Sequence, residues 1–168
     1  MRVLLIRHAI AVPRGTPGVP DEKRPLTPEG EARFCEAARG LARVVDRPAV
    51  LLTSPLPRAR RTAEIAAKAW GKVRVRNVEA LAGGTFEEIA SVLASHDPDA
   101  TVGLVGHEPH LSRLLARLLH ARESDRLTFR KGGAALVELT EAPAGGGTLI
   151  WFLPPRVLRR IGKASRGS

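Results

Sequence analysis

Tyrosine and glutamine are absent from this 168-residue chain, cysteine and methionine occur once each, and aromatic residues make up 4%. The single cysteine, Cys35, excludes an internal disulfide and a cysteine-ligated zinc site. Long apolar runs are missing near the N-terminus, where Val3–Ile6 is cut by Arg7. That falls short of the roughly 7–15 apolar residues of a signal-peptide core and the roughly 20 of a membrane helix. The sequence reads as that of a cytoplasmic protein. Acidic residues are few, 17 against 27 Lys and Arg, and the net charge is +10. Anionic substrates or partners are therefore expected. A nucleic acid is one such anion, but there are few rings on which bases could stack. The basic residues are mostly arginine scattered over predicted helices among many alanines, which fits a compositional bias better than a binding groove.

What is present is an ordinary globular balance, 43% hydrophobic and 26% charged, over the length of about one domain. Residues 2–6 (RVLLI) are an apolar run read as a buried strand. Residues 9–27 hold four prolines and two glycines and form a loop. Thr27-Pro28 then supplies a cap and an N1 proline for a helix to about Val45, with Phe34, Ala38, Leu41 and Val45 on one face. Residues 49–53 predict a second strand, Ser54-Pro55 the opening of a helix to about Trp70, and Val73–Val75 a short strand. A small helix follows over 85–95, a strand over 101–106 and a helix from Pro109 to Leu119. Strands over 134–140 and 148–153 flank a glycine-rich turn at Ala144–Gly147. The alternation implies a three-layer α/β/α sandwich with a mostly parallel sheet and an antiparallel edge hairpin. Residues 1–153 form the domain. Residues 154–168 are a basic C-terminal segment, read as a surface helix of the same domain or a frayed tail.

In open α/β sheets, ligands bind beyond the carboxyl ends of the strands, where helix N-termini also point. The first strand is followed by Arg7 and His8, the second by Ser54-Pro55 and then Arg58, and the 101–106 strand by His107. Singly, each has an ordinary reading: a strand-end histidine is more often structural, and a first-turn arginine usually points to solvent. Together they make an electropositive pocket. Arginine forks grip phosphate oxygens bidentately, and a neutral imidazole among them can attack phosphorus.

Other phosphate chemistries fit poorly. There is no GxxxxGK[ST] or GxGxxG loop. Cys35 has Leu41 where a cysteine-dependent phosphatase needs arginine, so its expected role is helix packing. Asp97–Thr101 matches DxDxT but precedes a strand, where it reads as a turn. His107 and His110 lack a carboxylate partner and sit among arginines that would repel a dication, so no metal site or cofactor is expected.

Arg7-His8-Ala9, SPLPRARRTA (54–63) and GHEPHL (106–111) resemble the histidine phosphatase superfamily, with its phosphoglycerate mutase-like fold. DEKRPLTPEG (21–30), the LAGG stretch (81–84) and the short chain are similar to the SixA-type phosphohistidine phosphatases. The resemblance covers the chain to about Leu153. It implies that His8 is the phosphorylated nucleophile, that Arg7, Arg58 and His107 grip the phosphoryl group, and that Arg24 also contacts phosphate. Ala9 replaces the glycine of most superfamily members, as is common in the SixA-like branch. Glu79, four residues before Gly83, has the spacing of the mutase-like general acid. SixA-like members often lack an equivalent, so the other reading is a surface carboxylate.

The expected activity is thus a metal-independent phosphatase acting through a phosphohistidine intermediate. Its expected substrate is phosphohistidine on a signalling protein, such as a phosphotransfer domain of a histidine kinase, and the protein is expected to be a monomer. The alternatives are a phosphatase of a small phosphorylated metabolite, a basic nucleic-acid-binding protein, and a silent phosphate-binding module. Intact His8, Arg58 and His107 speak against the last.

Overall fold

Four parallel strands put their carboxyl ends level along one edge of a six-stranded sheet, and that edge carries the site. In this computed structural model, residues 1–122, 127–140 and 146–164 are described. The strands are β1 (Arg2–Arg7), β2 (Val50–Thr53), β3 (Val75–Asn77), β4 (Thr101–Gly106), β5 (Ala134–Leu139) and β6 (Gly147–Leu153). The helices are α1 (Pro28–Val44), α2 (Pro57–Ala69), α3 (Phe86–Ala94), α4 (His110–Leu118) and α5 (Pro155–Lys163), with short 3-10 turns at Asp21–Lys23 and Glu79–Ala82. The sheet order is β3-β2-β4-β1-β5-β6, and β5 runs antiparallel to both its neighbours. Register pairs Arg7 with Gly106 and Thr53 with Val105. The residues that follow these strands therefore emerge side by side.

Both sheet faces are covered, as the apolar strands require. Leu4 and Ile6 of β1 share a core with Phe34, Ala38 and Leu41 of α1, Ala59 and Ala63 of α2, and Leu158 of α5. Val3 and Leu5 point the other way, into a core with Ile89 and Leu93 of α3 and Leu111, Leu114 and Leu115 of α4. This is the three-layer arrangement expected from the alternating elements. Among the described residues, no helix is long and apolar enough to cross a membrane.

Boundaries moved in two places. The second helix begins at Pro57, not at Ser54-Pro55, because a residue before proline is driven out of the helical region. Leu56 is accordingly extended, at φ −63° and ψ 137°. The third strand begins at Val75 rather than Val73. After α2, Gly71 and Lys72 both take positive φ (75° and 72°), and the Val73 amide donates back to Ala67 O at 3.2 Å. The first helix starts as expected, with Thr27 Oγ1 accepting from Gly30 N at 2.9 Å. Of the expected Ala144–Gly147 turn, residues 144 and 145 lie outside the described residues, and Gly147 is the first residue of β6.

The basic C-terminal segment forms α5 as far as Lys163 and lies against α1. Two glycines allow the close approach. A Cβ on Gly40 would overlap the Leu158 carbonyl, and one on Gly162 would overlap that of Glu36. Glu36 also accepts from Arg159 Nε at 2.9 Å and pairs with Lys163 Nζ at 3.2 Å.

Candidate active site

The site begins with the main chain leaving β1. Arg7 N donates to Gly133 O and His8 N to Gly106 O, both at 3.0 Å. Gly132 N is shared between the carbonyls of Arg7 and His8, at 3.1 Å each, with Gly132 itself at φ 78°. The next residue, Ala9, donates its N–H to Thr62 Oγ1 at 3.0 Å, and Thr62 Oγ1 donates to Arg58 O at 2.7 Å. One hydroxyl thus locks the loop after β1 to the first turns of α2. Ala9 is not among the residues at positive φ, so alanine in place of glycine is unstrained here.

The His8 ring is held in one tautomer. Nδ1 lies 2.7 Å from Ala9 O, and since a carbonyl only accepts, Nδ1 carries the proton and Nε2 keeps its lone pair. His8 is 5% exposed. Burial is the largest cause pushing its pKa down to about 3, and the charges of His107, Arg58 and Arg7 act in the same direction. The imidazole is therefore neutral at physiological pH and able to act as a nucleophile.

His107 follows β4 and its ring centroid lies 5.1 Å from that of His8, with the planes at 52°. It is 8% exposed. Burial, then Arg58 and His110, lower its pKa to about 4. Its Nε2 is hydrogen-bonded to Ser54 Oγ at 2.8 Å, which ties the residue after β2 to the one after β4.

The arginines arrive from three elements. Arg7 Nη1 donates to Phe129 O at 2.5 Å. Phe129 N in turn donates to Glu108 Oε1 at 2.9 Å, and Glu108 Oε2 accepts from Ser112 Oγ at 2.6 Å. Arg58, 4% exposed in the first turn of α2, donates from Nη1 to Asp21 O at 2.8 Å. Arg24, 7% exposed, donates from Nε to Asp21 Oδ1 at 2.8 Å and from Nη1 to Val12 O at 2.7 Å. Burial lowers the pKa of both Arg7 and Arg58, yet a guanidinium remains charged throughout the physiological range.

Three buried nitrogens, Arg7 Nε, Arg58 Nε and His107 Nδ1, have no hydrogen-bond partner among the described residues. Each such group costs about 1–3 kcal/mol. An anion rich in acceptor oxygens, such as a phosphoryl group, is the chemical complement of this set.

Arg7, His8, Arg58 and His107 thus meet at the ends of β1, β2 and β4. Arg24 joins them through Asp21, which touches both Arg24 and Arg58. Glu79 is exposed at the start of its 3-10 turn, and no hydrogen bond, ion pair or ring contact among the described residues ties it to the cluster. Of Asp97–Thr101, residues 97–100 form a turn, with Asp99 N donating to Asp97 Oδ1 at 2.8 Å, and Thr101 opens β4 at the opposite end from His107. Among the described residues, no group of three His, Cys, Asp or Glu side chains is placed to hold a metal ion.

Residues 3–89 match the family model of the histidine phosphatase superfamily, branch 1. The chain belongs to the histidine phosphatase superfamily. A relative from Picosynechococcus sp., itself uncharacterized, is 34% identical over 136 residues, covering 79% of this chain and 82% of its own. Among solved structures, the protein histidine phosphatase SixA complexed with tungstate is 25% identical with a TM-score of 0.78, covering 94% of this chain and 99% of its own. A candidate phosphohistidine phosphatase SixA from Agrobacterium tumefaciens is 27% identical with a TM-score of 0.75, covering 92% and 97%. A mycobacterial glucosyl-3-phosphoglycerate phosphatase shares the fold, with a TM-score of 0.73 at 17% identity over 91% of this chain and 99% of its own. The chain is a SixA-like phosphatase of this superfamily with the phosphoglycerate mutase-like fold.

Proposed function

We infer that the protein removes the phosphoryl group from phosphohistidine on another protein, with His8 as nucleophile. The observation that carries this reading is the neutral His8 ring, its Nδ1 proton committed to Ala9 O, beside the unpartnered buried nitrogens of Arg7, Arg58 and His107. In the first step the Nε2 lone pair forms a bond to phosphorus while the substrate N–P bond breaks. The bonding pair stays on the leaving imidazole, which takes a proton from solvent. Arg7, Arg24, Arg58 and His107 stabilise the charge on the equatorial oxygens. Water then attacks the phosphohistidine in line, inorganic phosphate leaves, and Nε2 recovers its lone pair. These charges come from the chain itself, so the reaction is read as metal-independent.

The choice of phosphohistidine is supported by the SixA structures, which match nearly end to end at 25% and 27% identity. It is supported too by the exposure of Glu79, because an N–P bond breaks with little help from a general acid. The SixA structure is a complex with tungstate, a phosphate-like oxyanion, which supports an anionic, phosphate-like ligand for this chain. The proposed partner is a phosphotransfer domain in the cytoplasm, met by the protein as a monomer. A small phosphorylated metabolite is the second reading, favoured by the fold shared with metabolite phosphatases such as the mycobacterial enzyme. The two separate in one assay, phosphate release from a phosphohistidine protein compared with a panel of phosphomonoesters. A higher kcat/KM for the phosphohistidine protein is expected. A single metabolite turned over faster than every phosphohistidine protein tested would replace this reading with the second.

A further inference from the structure

Asp21 opens the turn Asp21–Lys23 and reaches both buried arginines of the pocket. Its Oδ1 accepts from Arg24 Nε at 2.8 Å and from Arg14 Nε at 2.9 Å, and its Oδ2 lies 3.6 Å from Arg58 Nη2. Its main-chain carbonyl takes Arg58 Nη1 at 2.8 Å. Arg24 and Arg58 are like charges held close. Arg24 helps to lower the pKa of Arg58, while Asp21 acts in the opposite sense. Two buried guanidiniums without a counter-charge would repel and splay.

The two contacts differ in kind. Arg24 has Nε and Nη1 both committed, to Asp21 Oδ1 and Val12 O, which fixes the plane of its fork and leaves Nη2. The carboxylate contact to Arg58 is too long for a firm hydrogen bond, and Arg58 Nε is unpartnered among the described residues. The Asp21 side chain itself is 42% exposed. Hydrogen bonds from Arg14 and Arg24 hold its carboxyl below the usual range. It therefore enters the site as a fixed negative charge and not as a proton donor.

We propose that Asp21 is the positioning residue of the phosphoryl clamp: it holds Arg24 and Arg58 in place for the anion and, as a negative charge beside both, limits how tightly the phosphate product is retained. This rests on Arg24 and Arg58 being phosphate-binding groups. It does not depend on which phosphorylated compound is the substrate.

The test measures binding of inorganic phosphate by calorimetry and kcat on an aryl phosphate, for the wild type and Asp21→Asn. Removing a unit charge next to a bound dianion should tighten phosphate binding by about 3- to 10-fold. Loss of the anchor should lower kcat by about tenfold or more, the usual consequence of misplaced catalytic groups. Asp21→Glu restores the charge on a longer arm, so it should return phosphate affinity towards wild type while kcat stays low. A residue that only stabilised the fold would weaken phosphate binding and lower the melting temperature together. Weakened or unchanged phosphate affinity in Asp21→Asn, or a kcat within twofold of wild type, would overturn the proposal. Phosphate affinity is read whether or not a phosphohistidine protein is the substrate, so failure of that functional reading leaves this test intact.

Discussion

At the scale of single residues, the site depends on keeping two imidazoles neutral among arginines. The ordinary histidine pKa of about 6.5 falls to about 3 for His8 and about 4 for His107. As pH drops through about 6.5 the unfolded chain binds protons at these positions and the folded chain does not, so stability falls with pH. The loss from His8 starts near its unfolded pKa and is complete only below its folded pKa of about 3. Between about pH 6.5 and 5 most carboxylates are still ionised, which isolates the histidines. His8→Asn should therefore flatten the decline of melting temperature across that window, and an unchanged decline would contradict the assigned neutrality. On the proposed mechanism Arg58→Ala and His107→Ala remove partners of the transferring phosphoryl group and should each lower kcat by about 10² to 10³, as read by steady-state phosphate release. His8, Arg58 and His107 were legible in the sequence because each stands just after a strand or in the first helical turn. Their supports were not. Phe129 holds Arg7 from 122 residues away in the chain, and no local pattern announces a main-chain carbonyl as a partner. Ser54, Thr62 and Asp21 lay inside quoted motifs, but their roles depend on side chains that meet only in the folded sheet.

At the scale of elements, strand and helix types followed from apolar period and capping, whereas boundaries followed from single backbone preferences. Pro57 delays α2, so that Ser54 faces His107 and Arg58 falls in the first turn. Thr27 and Pro28 start α1 where the sequence says they should, because cap and N1 proline agree. The C-terminal helix was harder to read, since its charges suggest a solvated face and its burial rests on one leucine and two glycines. Leu158 is fully buried, and Gly40 and Gly162 let α1 and α5 approach. Gly40→Ala puts a methyl group against the Leu158 carbonyl, where backbone must move. Overpacking of this kind costs about 1–3 kcal/mol. A lower melting temperature is expected, with phosphate affinity unchanged because Gly40 faces Leu158 and Gly162 of α5 and no residue of the site. A melting temperature equal to wild type would show that the helices are not held at this crossing.

At the scale of the whole molecule, a net charge of +10 surrounds a pocket that is itself cationic. Such a field raises the encounter rate with anionic partners and is screened by salt beyond about 8–10 Å at physiological ionic strength. For an acidic phosphoprotein, kcat/KM should therefore fall steeply as salt rises, while kcat stays nearly constant. A flat response would remove steering from the account. The central claim concerns His8 and is tested most directly by rapid base quench during turnover of a phosphohistidine protein labelled with ³²P. Label should appear on His8 in an acid-labile, base-stable bond and should chase into inorganic phosphate, and His8→Ala should show neither label nor turnover. Steady phosphate release by the wild type with no label on His8, or wild-type rates from His8→Ala, would contradict it.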